Sequence, residues 1–78
     1  METTFLKIIC PKEDVEIVTE TLAKENFNNF TIEKKDNKYI FRLRGPEEEI
    51  TRVSCSLTSL RNSLPVNLEI RDDKGVIA

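Results

Sequence analysis

Histidine and tryptophan are absent from this chain, glycine and cysteine occur twice each, and no apolar run is longer than three residues. Without histidine, the commonest general base near neutral pH and the commonest metal ligand are gone. Ser54, Ser56, Ser59 and Ser63 therefore have no imidazole to activate them. With only Gly45 and Gly75 there is no GxGxxG motif and no P-loop. The loop at residues 11–14 reads P-K-E-D. It brings two carboxylates and no glycine to the place where backbone amides would otherwise cradle a phosphate. Glu47, Glu48 and Glu49 read as the acidic first turn of a helix, not as a catalytic carboxylate cluster. Cys10 and Cys55 are too few for a disulfide scaffold or a structural zinc site. Both lie in apolar-patterned segments, so the expectation is two reduced thiols buried as small hydrophobes, with a single disulfide as the alternative. No segment is long and apolar enough to span a membrane or act as a signal peptide. These absences predict a non-catalytic protein without cofactor or metal, with no membrane contact, in the reducing cytoplasm.

What is present suffices for one domain over residues 1–78. A domain this short buries only about 60% of the surface its unfolded chain exposes, so a partner or a second copy would stabilise it. Leu6, Ile8 and Cys10 alternate with Phe5, Lys7 and Ile9, which predicts a strand ended by Pro11. Val15, Val18 and Leu22, widened by Ile17 and Ala23, predict a helix from Pro11 to about Phe27. Glu13 and Asp14 sit in its first turn and Lys24 in its last, as the helix dipole prefers. Residues 30–44 read as a hairpin around Asp36-Asn37. A two-residue turn there pairs Lys35 with Lys38, Ile32 with Phe41 and Phe30 with Leu43. It gathers Phe30, Ile32, Tyr39, Phe41 and Leu43 on one face. Gly45-Pro46 is expected to stop the strand. The spacing of Ile50, Val53, Leu57, Leu60 and Leu64 predicts a second helix, ended by Pro65. Val66, Leu68 and Ile70 alternate as a last strand, and residues 72–78 read as a tail. The order β-α-β-β-α-β predicts a ferredoxin-like α+β fold: an antiparallel sheet with two helices on one face.

Two surfaces are candidates for binding. Between residues 50 and 64 only Arg52 and Arg61 are charged, and small polar residues fill the rest of the outer face. Serine and threonine are indifferent helix formers, but their small side chains let another helix approach, and few charges mean little desolvation on docking. Thr51, Ser54, Cys55, Thr58, Arg61 and Asn62 are the candidate partner-binding residues. The competing reading is a polar face in contact with water alone. The other surface is the outer face of the sheet. Phe5, Ile9 and Ile40 are expected to be exposed there as a patch that a second copy would cover. Lys7, Lys35, Lys38, Arg42 and Arg44 on the same face are candidates for phosphate contact with RNA. Recognition of RNA by base stacking is disfavoured, because Tyr39 and Phe41 point inward and Phe5 alone points out. With 12 basic and 14 acidic residues the net charge is −2, which argues against a general nucleic-acid binder but allows a local basic patch. A third class, a small regulatory ligand-binding domain, is disfavoured by the glycine-free first loop.

Pro11-Lys12-Glu13-Asp14-Val15 after a short strand, a charged hairpin over residues 31–44, and I-T-R-V-S-C-S-L-T-S-L-R-N-S-L over residues 50–64 together resemble one known family. This is the small dimerisation subunit of the KEOPS complex, which serves tRNA threonylcarbamoyladenosine synthesis. The resemblance covers about residues 5–64. Thr58 stands where the family usually has asparagine, and Ser54 where it has arginine, with Arg52 two residues away. The resemblance implies the main subunit or a diverged paralogue that pairs with it, acting as a homo- or heterodimeric scaffold. Its helices would pack on helices of the catalytic threonylcarbamoyl-transferring subunit, with tRNA contact as an added role. The catalytic metal and ATP would belong to that partner.

Overall fold

The alternation around Leu6, Ile8 and Cys10 folds as strand β1 (Thr3–Pro11), in a computed structural model that describes residues 3–72 and 75–76. A 3₁₀ turn (Lys12–Asp14) leads into α1 (Val15–Lys24), followed by β2 (Phe30–Lys35), β3 (Lys38–Pro46), α2 (Glu47–Ser63), β4 (Glu69–Asp72) and a short β5 (Gly75–Val76). The sheet order is β2-β3-β1-β4-β5, every pairing antiparallel. The first four strands in this order, with α1 and α2, make the ferredoxin-like arrangement.

Parity sets the two faces, because residues opposite each other in a ladder share a face. Leu6 lies opposite Leu43, Ile8 opposite Phe41 and Ile70, and Cys10 opposite Tyr39. Phe30 and Ile32 continue those rows onto β2, in the register that the hairpin pattern predicts. Val18 and Leu22 of α1 and Ile50, Val53 and Leu57 of α2 pack in one cluster with these strand residues, so both helices cover the same face. Phe41, Ile8, Ile70, Val53 and Leu57 are completely buried at its centre. The Phe30 ring lies 6.0 Å from that of Phe41, tilted as aromatic pairs prefer.

Several boundaries differ from the sequence reading: α1 ends at Lys24, short of Phe27, β4 begins at Glu69, after Val66 and Leu68, and others differ for local reasons. Glu13 and Asp14 belong to the 3₁₀ turn, so α1 starts at Val15. Asp14 makes no cap bond; it is buried, and its Oδ2 accepts the N–H of Asn67 at 2.9 Å. Gly45-Pro46 does not stop β3 but forms its last two residues, opposite Thr4 and Thr3. β2 ends its pairing at Leu43, so nothing on that side needs the N–H that Pro46 lacks. Asp72 closes β4 instead of opening a tail, and Gly75 pairs back on it. Residues 73, 74, 77 and 78 of the expected tail lie outside the described residues. Leu64 falls just past the end of α2 and is 43% exposed, because the 17-residue α2 outruns the 10-residue α1.

α1 ends on a Schellman motif. Asn26 adopts a left-handed φ of 56°, the Asn26 N–H donates to Ala23 O at 3.0 Å, and the Phe27 N–H donates to Leu22 O at 3.0 Å. Buried Phe27 and Leu22 supply the apolar contact of that motif. Glycine is the residue that adopts this conformation without strain. Asn26→Gly is therefore expected to raise the unfolding free energy by about 0.5–1 kcal/mol, and Asn26→Ala to lower it by about 1 kcal/mol. Urea titration followed by circular dichroism measures both.

Candidate functional site

α2 presents its candidate residues as one flank. At about 100° per residue, Thr51, Ser54, Cys55, Thr58, Arg61 and Asn62 fall on one side of the helix, beside the buried Ile50–Val53–Leu57 stripe. Thr51, Cys55 and Asn62 are exposed; Ser54, Thr58 and Arg61 are half-buried. The opposite flank faces α1. There the Arg52 guanidinium donates to Glu25 Oε1 at 3.0 Å and to the Glu25 backbone carbonyl at 3.2 Å, tying the start of α2 to the end of α1. Past that tie, Thr21, Lys24 and Glu25 of α1 and Ser56, Ser59, Leu60 and Ser63 of α2 line an open groove that runs to Leu64. Sequence reading did not find this groove. Its signal was the leucine stripe continuing past the length of the first helix, which leaves Leu60 and Leu64 without a full cover.

Cys55 lies two residues from both Val53 and Leu57, and two residues turn a helix by about 200°. It is therefore exposed, contrary to the expectation that both thiols are buried. Cys10 is buried, and both thiols are free. Burial pushes the Cys10 thiol up to about 11, reinforced by the negative charges of Asp14 and then Glu13.

The sheet's outer face is laid out in rows. Ile9 lies opposite Ile40, with Glu69 beyond it on β4 and Glu33 beyond Ile40 on β2. The next row is Arg71, Lys7, Arg42 and Thr31. Phe5 stands one row further on, opposite Arg44, and Lys35 and Lys38 face each other at the hairpin turn. The expected three-residue exposed patch is not what forms. Phe5 is 50% exposed, Ile9 is half-buried and Ile40 is only 8% exposed. Ile40 is on β3, between β2 and β1, with Glu33 and Ile9 beside it in its row, and the Lys7–Arg42 row separates Phe5 from the isoleucines.

The five cations expected there all share this face, and Arg71, missed in the sequence, joins them. Its signal was the parity of the last strand, in which Ile70 points in and its neighbours point out. Acidic residues of the adjacent row compensate two of these cations: Arg42 Nη1 lies 3.2 Å from Glu33 Oε2, and Arg71 pairs with Glu69. Among the described residues no carboxylate lies within ion-pair distance of Lys7, Lys35, Lys38 or Arg44. Also among the described residues, no group of three His, Cys, Asp or Glu side chains could hold a metal ion. No helix there is long and apolar enough to cross a membrane.

No family model matches the chain, and no curated protein matches it. Solved structures do. The chain is similar to CPII, a nitrogen regulatory PII-like protein from Thiomonas intermedia K12 bound to ADP, AMP and bicarbonate. The TM-score is 0.66 at 16% identity, over 91% of this chain and 90% of that one. It is also similar to a PII-like signalling protein from Thermus thermophilus, with a TM-score of 0.69 at 12% identity over 92% and 89% of the two chains. The de novo designed protein Foldit4 matches with a TM-score of 0.58 at 17% identity, over 91% and 96%. At these identities the likeness is one of fold. That a designed protein shares it underlines that the ferredoxin-like frame and the chemistry placed on it are separate matters.

The two thiols differ enough to be told apart chemically. At pH 8 a disulfide reagent such as DTNB is expected to label one thiol per folded chain, Cys55, and the second only after denaturation. A folded Cys55→Ser variant is expected to stay unlabelled. Because folding raises the Cys10 value from its ordinary 9.0 to about 11, the folded state favours the neutral thiol. That contribution to stability is full below about pH 9 and declines as the pH rises from 9 towards 11.

Proposed function

We propose that this chain is a non-catalytic scaffold and dimerisation subunit of a tRNA-modifying complex, the one that makes threonylcarbamoyladenosine. In this reading α2 docks against helices of the catalytic subunit. The observation that carries it is the flank of α2 away from α1. A surface helix of 17 residues exposes Thr51, Cys55 and Asn62, with Ser54 and Thr58 half-buried beside them and Arg61 as its one charge. Such a flank loses little hydration on docking, and its small side chains let a second helix approach to packing distance. The resemblance over residues 50–64 names the partner; the geometry alone describes a place for a helix.

A regulatory ligand-binding role of the PII-like kind has less support in this chain. The first loop is a 3₁₀ turn with two acidic residues, and Asp14 there is already engaged by Asn67. The scaffold reading is tested by co-expressing the chain with the catalytic subunit and measuring capture. Ser54→Arg and Thr58→Glu are each expected to cut capture at least tenfold, while leaving the circular dichroism spectrum and melting temperature of the free domain unchanged. Capture retained by both folded variants would refute the assignment.

A second reading, RNA contact by the outer sheet face, is favoured by one observation. Lys35 lies directly opposite Lys38, a like-charge pairing that destabilises a sheet unless an anion sits between them. Titration with tRNA is expected to show an affinity that falls as salt rises and a weaker salt slope for Lys35→Gln/Lys38→Gln. Binding independent of salt, or none, would sink this second role and leave the first untouched.

A further inference from the structure

At the end of the sheet away from the hairpin turn, the open face holds a hollow of about 310 Å³. Phe5 of β1 walls it on one side, Arg42 and Arg44 of β3 border it, and Asn29 and Thr31 close it where β2 begins. Its floor is the β2–β3 ladder. We propose that this hollow binds a single nucleotide, with the base against the Phe5 ring and the phosphate on the Arg44 guanidinium.

Each wall brings a group that has no other task in the chain. Phe5 is 50% exposed, and among the described residues no ring or cation lies against it. Arg44, directly opposite, is exposed and forms no ion pair among the described residues. A guanidinium both stacks on flat groups and grips a phosphate with two parallel bonds, so it suits either part of a nucleotide. The Arg44 N–H donates to Asn29 O at 3.1 Å, which fixes Asn29 beside Arg44. The Asn29 carboxamide and the Thr31 hydroxyl are exposed, and among the described residues neither has a hydrogen-bond partner. A nucleotide presents a counterpart to each: a π-face for Phe5, an anion for Arg44, and the base edge and ribose hydroxyls for the two polar groups.

Charge and size narrow the ligand. Two arginines line the hollow and no carboxylate does; Glu33, which pairs with Arg42 at 3.2 Å, stands outside it. The hollow beside Lys35 and Lys38 is lined by Asp36 and Glu69 as well, and the groove between the helices by Glu25. Small-molecule sites begin at about 300 Å³, so this one has room for one base with its sugar phosphate. A lone outward aromatic cannot grip a run of bases, but stacking one base takes one ring. A free nucleoside monophosphate and the last nucleotide of an RNA chain present these same groups.

The inference is independent of the scaffold reading, and it goes beyond RNA contact by the lysines, which needs no aromatic. The site is open and offers few contacts, so its affinity is expected near the millimolar range, and a titration to about 10 mM covers it. Titrating the ¹⁵N-labelled chain with UMP is expected to shift the amide signals of Phe5, Arg44 and Thr31, and GMP to do the same. Ribose 5-phosphate, which has no base, is expected to bind at least tenfold more weakly than UMP, and so is UMP to Phe5→Leu. Arg44→Gln is expected to lower UMP affinity to that of uridine. Lys35→Gln/Lys38→Gln, the variant that tests RNA contact, is expected to keep its UMP affinity, so the two ideas fail separately. The same spectra show that each variant is folded. A uridine trinucleotide that binds no tighter than UMP identifies the free nucleotide as the ligand. One that binds at least tenfold tighter and loses that gain in Phe5→Leu identifies the end of an RNA chain; either result supports the site. No shift at the highest concentration, equal affinities for UMP and ribose 5-phosphate, or a UMP affinity unchanged in folded Phe5→Leu or folded Arg44→Gln would each overturn the proposal.

Discussion

Everything in this domain depends on the register of β1 against β3. The nine residues of β1 lie opposite the nine of β3, and both strands are flanked on their other edge. Side chains alternate with a period of two, so a slip of one residue would turn Leu6, Ile8 and Cys10 to the open face and Lys7 into the core. The core, the rows of charge on the outer face and the seat of both helices all inherit that single choice. Phe41 opposite Ile8 anchors it, because both are fully buried at the centre of the core.

The helix layer is built of unequal parts. α1 is short and heavily charged on its outer face, while α2 is longer and carries few charges after its first turn. The Arg52–Glu25 contact holds the two together at one end only. A surface-exposed ion pair adds little to stability, so what it contributes is orientation. Beyond it the helices part into a groove, and α2 keeps a bland flank on its other side. A domain lacking histidine and glycine-rich loops thus still offers shaped surfaces: a groove between the helices and a charge-poor flank on α2.

Much of this was legible in the residues. The hairpin register from Phe30↔Leu43 to Lys35↔Lys38 follows from parity, because two amphipathic strands joined by a two-residue turn have one alignment that buries both apolar sets. The α2 stripe was legible because five apolar residues keep one spacing. What escaped reading was local backbone chemistry and the effect of neighbours. The 3₁₀ turn at Lys12–Asp14 and the left-handed Asn26 use residues that a helix also accepts. Gly45-Pro46 looked like a stop because the pattern does not show on which side a strand lacks a partner. Ile40 and Leu64 exchanged their expected exposures, since burial depends on the side chains in neighbouring strands and on which helix is longer. The flank of α2 could be listed residue by residue, but nothing in a helical spacing says what docks there.

The bond from Asn67 to Asp14 joins positions 53 apart in the chain. It links the turn that follows the first strand to the segment that delivers β4, which is among the last parts of the domain to emerge during synthesis. Bringing such distant positions together is a slow event, because the loop between them must lose its freedom before any contact rewards the closure. β1, α1, β2 and β3 can assemble through closer neighbours while the centre of the sheet still has one open edge. The carboxylate of Asp14 is hydrated as long as that edge is open, and it exchanges water for the Asn67 N–H when the segment leading into β4 docks.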